Sequence, residues 1–151
     1  MLRPELKSRF GFLVSDIARL HGRAFDKLAR RDLNLSLAQV RVFCALATHG
    51  SAEGMAQHTL ADHLDLSQMA VAALCARLET AGWVRRKVCA ADRRARIVQL
   101  LPKAHDALAE ALKLGDTLQR QALAALTAAE RTEFLRLLQL VHGQLATPAS
   151  A

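Results

Sequence analysis

Apolar residues recur at spacings of three and four along most of this 151-residue chain, and the pattern gives way to alternation in one stretch, residues 83–100. That contrast predicts a mainly α chain with a small β-hairpin, because period 3.6 buries one face of a helix and period 2 one face of a strand. Composition points the same way. Aromatics are only 4% of the residues, and alanine and leucine supply much of the 52% that is hydrophobic, which favours helix over sheet. The length fits one domain, or one core with helical extensions, and is enough to bury a core without staples.

The first expected helix covers residues 5–31, with Leu6, Phe10, Leu13, Ile17, Leu20, Ala24 and Leu28 on one stripe. Pro4 stands where a first-turn proline is tolerated. Asp32-Leu33-Asn34 ends the pattern, and Ser36-Leu37-Ala38-Gln39 reads as a capping box. It opens a second helix to about Thr48, with Leu37, Val40, Phe43, Cys44 and Ala47 inward, and His49-Gly50-Ser51 stops it. A short third helix is expected from about Ala56 to Leu64, with Leu60, Ala61 and Leu64 buried. Asp65-Leu66 makes a tight connection, and Ser67 is a suitable N-cap for a fourth helix to about Thr80. Val71, Leu74, Cys75 and Leu78 form its buried face, and Gly82 ends it. After Pro102 a helix runs to about Leu123 through Leu108, Leu112 and Leu118. Thr127-Ala128-Ala129-Glu130 is a second capping box, opening a last helix with Phe134, Leu137, Leu138, Val141 and Leu145 inward.

The third and fourth helices, joined by a short turn, have the layout of a helix-turn-helix, whose second helix enters the DNA major groove. Any compact helical hairpin shares that pattern. The next segment adds charge. Residues 83–88 read as a strand, 89–94 as a turn and 95–100 as the return strand, with Arg96, Val98 and Leu100 on one face. Of the net charge of +7, most comes from two places: residues 85–96 carry six basic residues and one acidic, and residues 1–34 carry eight and four. A focused basic segment suits a polyanion, since each neutralised phosphate releases counterions; a merely solvated charge run is the plainer alternative. A basic hairpin directly after a recognition helix can lie along the DNA backbone and place an arginine in the minor groove.

These residues resemble a known family. Leu78-Glu79-Thr80-Ala81-Gly82-Trp83-Val84-Arg85-Arg86, then Ala91-Asp92-Arg93-Arg94-Ala95-Arg96, then Leu100-Leu101-Pro102-Lys103-Ala104 look like the MarR family, and most closely its SlyA-like branch. Asp16-Ile17-Ala18-Arg19-Leu20 is similar to that branch's first helix. The resemblance runs from about Phe10 to Leu145 and is most specific at the hairpin, the family's wing. It implies a winged helix-turn-helix at residues 35–101, a helical dimerisation region formed by residues 1–34 and 102–147, and a flexible tail at 148–151. It implies a homodimer, a cytoplasmic regulator of transcription such as a repressor, double-stranded DNA carrying a palindromic operator as partner, and no enzymatic activity. The long amphipathic termini have more apolar surface than a small winged domain can cover, which suits a dimer, although an intramolecular bundle would also use it.

The resemblance assigns roles by position. Arg94 corresponds to the wing-tip arginine expected in the minor groove, and Asp92 to the aspartate that orients the wing arginines, a place an ordinary turn aspartate would also fill. Arg85, Arg86, Arg93 and Arg96 are phosphate candidates. Ser67, Gln68, Met69, Ala72, Ala73, Ala76 and Arg77 are expected on the exposed face of the fourth helix, where glutamine can bond an adenine edge and methionine or alanine can touch a thymine methyl. Ala73 stands where relatives carry a long polar residue, which shifts weight to shape and wing contacts. The family also implies a small aromatic carboxylate effector, with Arg19 holding the carboxylate and His21 and Arg41 nearby; a surface arginine in an ion pair is the competing account of Arg19. Val40 replaces an aromatic ring of relatives. No cofactor or metal is expected, since His58 and His63 lie off one helical face.

Other chemistries have thinner support. Cys44, Cys75 and Cys89 are odd in number and far apart, which predicts a reducing cytoplasm and no disulfide framework. Cys44 and Cys75 fall on apolar stripes, leaving Cys89 as the one thiol in reach of an oxidant. No run approaches eighteen apolar residues, and Met1–Lys7 is too polar for a signal peptide. An alternative function from a different class is a helical protein-interaction module whose basic hairpin binds an acidic partner.

Overall fold

A computed structural model describes residues 4–147; the expected tail at 148–151 lies outside them. Along the chain run α1 (Pro4–Lys7), α2 (Phe10–Leu33), α3 (Leu37–His49), β1 (Met55–Ala56), α4 (Gln57–Leu64), α5 (Gln68–Thr80), β2 (Val84–Val88), β3 (Arg96–Leu100), α6 (Pro102–Ala122) and α7 (Ala128–Ala146). The chain divides into two compact units between Gly115 and Asp116. Among the described residues, no helix is long and apolar enough to cross a membrane.

The caps form as their residue types dictate. Ser36 Oγ accepts from the Gln39 N–H while the Gln39 side chain accepts from the Ser36 N–H, and Thr127 and Glu130 repeat the exchange. Ser67 accepts from the Ala70 N–H and starts α5. At the far end of α5, Gly82 has φ +77°, its N–H donates to the Glu79 carbonyl and the Trp83 N–H to the Leu78 carbonyl. That pair of bonds is the Schellman closure, which needs the left-handed conformation glycine adopts without a Cβ penalty.

In the first unit the core lies beneath α3, α4, α5 and the sheet. Phe43, Leu35, Leu60, Leu78, Val42, Val71, Val84, Val98 and Cys75 are almost wholly enclosed, and no buried polar or charged residue accompanies them among the described residues. Each large side chain of that kind contributes about 1.5–3 kcal/mol on leaving water. The expected inner faces of α4 (Leu60, Ala61, Leu64) and α5 (Val71, Leu74, Cys75, Leu78) are buried.

The structure departs from the periodicity in four places. The first helix is interrupted at Ser8–Arg9: the Ser8 hydroxyl donates to the Glu5 carbonyl, and Arg9 is extended with φ −73° and ψ 138°. A serine side chain bonding to the main chain competes with the helical ladder. Second, α3 buries Val42, Ala45 and Leu46 as well as Val40 and Phe43, while Ala47 is exposed and Leu37 and Cys44 are half-buried. A helix packed on more than one side loses the single stripe that periodicity finds. Third, the hairpin gains a strand: the sheet order is β1-β3-β2, with Met55 opposite Val98 and Ala56 opposite Ile97. Two residues are too short to show alternation. Gly54, at φ +105°, permits this pairing, since a Cβ there would lie 2.3 Å from the Val98 carbonyl oxygen.

Fourth, the terminal helices leave their stripes uncovered. On α2, Phe25 and Ala29 are buried, but Phe10, Leu13, Ile17 and Leu20 are each 44–58% exposed. On α6, Ala104, Ala111 and Leu118 are buried and Leu112 is exposed. In the second unit α7 buries no residue: Leu137, Leu138, Val141 and Leu145, expected inward, are exposed, and Phe134 is half-buried.

Candidate nucleic-acid interface

α4, a tight connection and α5 form the helix-turn-helix. The connection closes because Asp65 adopts φ +53° and the Leu66 N–H reaches the Ala61 carbonyl. With its Val71–Leu78 face in the core, α5 presents Gln68, Met69, Ala73 and Arg77 to solvent. Ser67 is exposed too, with its hydroxyl engaged in the cap. Ala72 and Ala76, expected on the exposed face, are half-buried.

The wing follows from β2 and β3, paired from Val84 opposite Leu100 to Val88 opposite Arg96. Its turn is closed by main-chain bonds from Cys89 to the Ala95 carbonyl and from Ala95 to the Asp92 carbonyl. The Asp92 carboxylate accepts from the Arg94 N–H at 2.9 Å. This is an Asx turn, so Asp92 shapes the backbone that carries Arg93 and Arg94. The side chains of Arg77, Arg93 and Arg94 are exposed and have no hydrogen bond or ion pair among the described residues. Arg96 is also exposed, close enough for its charge to act on Glu79.

The remaining wing arginines are engaged. Arg86 is half-buried against Glu79, whose carboxylate accepts from the Arg86 main-chain N–H at 2.8 Å and from its Nε at 2.9 Å. These bonds hold the Glu79 carboxyl below its ordinary range. Arg86 therefore ties the wing to α5. Arg85 donates to Gln99 Oε1, and the Gln99 amide donates to the Ala52 carbonyl, bracing β3 against the turn before β1. Neither Glu79 nor Gln99 stands out in a sequence; Glu79 shows only as the acidic residue of the Leu78-Glu79 pair before Gly82. Lys103 is equally hidden there. Its ammonium donates to the Ala81 carbonyl at the end of α5 and lies 3.9 Å from the centre of the Trp83 ring, which packs 5.7 Å from Phe43. A cation there also complements the negative end of the helix dipole.

Of the residues expected around an effector, Arg19 and Arg41 line different hollows. Arg19 forms an ion pair with Asp16 and lines a groove with Gly22, Arg23, Asp26 and Lys27. His21 is exposed and lies outside that groove. Arg41 lines a separate hollow with Cys44, Thr48, His49 and His63. There the His49 and His63 rings stack at 4.3 Å, a parallel arrangement in which their lone pairs do not converge on a metal. Cys75 is enclosed and its thiol is pushed up to about 11 by burial; burial also raises the half-buried Cys44.

Comparison with known proteins places this geometry among relatives. Residues 33–95 match the model of the MarR family. "Transcriptional regulator HosA" of Escherichia coli O127:H6 is 34% identical over 86 residues, a stretch covering 57% of this chain and 64%, under two thirds, of that protein. Wild-type MarR from E. coli has the same fold, with a TM-score of 0.79, 24% identity and coverage of 88% of this chain and 96% of MarR. A MarR variant in complex with operator DNA aligns with a TM-score of 0.70 at 24% identity, over 87% of this chain and 91% of its own. CouR from Rhodococcus jostii RHA1, bound to p-coumaroyl-CoA, aligns with a TM-score of 0.80 at 18% identity over 99% of both chains. The winged helix-turn-helix fold is shared with all of these structures, and the match to the MarR family model lies within residues 33–95 of this chain.

Proposed function

We propose that this chain is a DNA-binding transcriptional regulator that acts as a homodimer on a palindromic operator. The observation that carries the reading is the pairing of a solvent-facing α5 with unpartnered cations: Arg77 on α5 and Arg93 and Arg94 at the wing keep no acidic partner among the described residues. α5 enters the major groove, Arg94 enters the adjacent minor groove, and Arg85, Arg93 and Arg96 contact phosphates. Arg86 contributes by holding the wing to α5. The operator complex of a MarR variant supports this docking. Residues 35–101 form the DNA-binding part, and residues 1–34 with 102–147 the dimerisation part. The exposed stripes of α2 and of α7 supply apolar surface for a second copy, and an isologous pair matches half-sites about 34 Å apart.

The wing sequence Asp92-Arg93-Arg94-Ala95-Arg96 supports the SlyA-like branch. A small aromatic carboxylate releases the DNA; the structure of CouR with p-coumaroyl-CoA, an aromatic acyl thioester, supports a small-molecule effector in general and not the carboxylate. The regulator works as a cytoplasmic repressor.

Fluorescence anisotropy tests the reading, with a duplex selected from a random pool beside a scrambled one across a salt series. Sequence-selective binding is expected, weakened roughly tenfold or more by Arg94→Ala, with the logarithmic salt slope shallower by about 0.9 for each phosphate the variant leaves unneutralised. Adding aromatic carboxylates is expected to lower the anisotropy. Equal weak binding to both duplexes, unchanged in the variant, would leave only nonspecific electrostatics and favour an interaction module for acidic partners.

A further inference from the structure

The outward face of α5 has an unusual chemistry for an element that meets nucleic acid. At 100° per residue, Met69, Ala73, Ala76 and Thr80 form the stripe opposite the buried Val71, Leu74, Cys75 and Leu78. Met69 is 83% exposed, the highest value of any large apolar side chain among the described residues, and Leu66, just before the cap, is 43% exposed. The polar groups at the ends of this stripe are already engaged: Ser67 Oγ accepts from the Ala70 N–H, and the Thr80 hydroxyl donates to the Ala76 carbonyl. What remains along the middle is a thioether and methyl groups, with Gln68 and Arg77 at the edges.

An exposed apolar stripe needs an apolar occupant, yet the exposed Arg77 on the same helix and Arg93 and Arg94 on the wing turn select a polyanion. DNA satisfies both demands at one kind of base. In the major groove adenine, guanine and cytosine offer hydrogen-bonding groups at their edges, whereas thymine adds a C5 methyl group. We propose that α5 reads the 5-methyl groups of thymine, with Met69 as the principal reader and Ala73 allowing the helix to approach the bases closely. The proposal rests on the reading of this chain as a DNA-binding regulator and adds which base its major-groove element selects. Methionine suits the task, because its flexible, polarisable chain fits around a methyl without a fixed hydrogen-bond geometry.

The test begins with duplexes selected from a random pool by the full chain. Thymines in the selected half-sites are then replaced one at a time by deoxyuridine, which lacks only the methyl. Binding is expected to fall about fourfold for each recognised methyl, the equivalent of burying one such group, and about fifteenfold when both half-sites are changed. The salt slope should stay constant, since the same phosphates remain neutralised. Met69→Gln, at a side chain outside the core, is expected to lose the sensitivity to deoxyuridine and to weaken binding to the thymine-bearing duplex, with adenine favoured at that position instead. Selective binding that is indifferent to deoxyuridine would overturn the inference and leave the regulator reading standing. Sensitivity that persists in Met69→Gln would overturn the role of Met69. Failure to select any duplex would overturn both.

Discussion

Replacing Glu79 by alanine isolates the link between α5 and the wing. Its carboxylate accepts from the Arg86 main-chain N–H at 2.8 Å and from the guanidinium Nε at 2.9 Å, and forms an ion pair with Nη2 at 2.9 Å. The main-chain bond has a net worth of about 1 kcal/mol. The ion pair is only partly shielded, with side chains 37% and 26% exposed for Glu79 and Arg86, so it adds about 1 kcal/mol, the upper end for exposed pairs. Glu79→Ala should therefore destabilise the fold by about 2 kcal/mol, measured by urea unfolding at fixed protein concentration, because the stability of any self-associating chain depends on concentration. A double-mutant cycle with Arg86→Ala should return a coupling of about 1 kcal/mol. Acid should remove the same contribution. The Glu79 carboxyl titrates below its ordinary value in the folded chain, so its stabilisation is complete above about pH 4.3, the unfolded value, and is lost as pH falls through the lower folded one. A loss under about 0.5 kcal/mol with no coupling would refute the account of the pair as the tie between wing and helix.

Two further predictions concern the packing beneath the interface. Gly54→Ala would place a methyl 2.3 Å from the Val98 carbonyl oxygen at a φ of +105°, so β1 should detach and stability fall by about 3 kcal/mol or more; an unchanged unfolding midpoint would contradict the β1–β3 pairing. Cys75, enclosed and with its thiol pushed up to about 11, should stay unlabelled by iodoacetamide at about pH 8 in the native protein and label fully in urea, since only the thiolate reacts. Rapid native labelling at Cys75 would mean that α5 does not pack as described.

The sequence by itself determined the local pieces of this protein. Ser36, Ser67 and Thr127 mark helix starts because their hydroxyls satisfy main-chain N–H groups within three residues, and Gly82 marks a helix end because its conformation is intrinsic. The buried faces of α4 and α5 were legible for the same reason: each packs on one side only, so burial follows the helical period. The basic wing was visible as composition. Tertiary structure decided which of its arginines have partners, since Arg86 meets Glu79 from another element while Arg93 and Arg94 stand on a turn shaped by Asp92. It also decided the third strand, which exists only because β3 offers Met55 and Ala56 an edge and Gly54 lets the chains approach. Arg19 and Arg41, both expected around one effector, line different hollows, a placement no spacing rule encodes. Such contacts join residues distant along the chain, and their free energy depends on geometry that only the assembled core supplies.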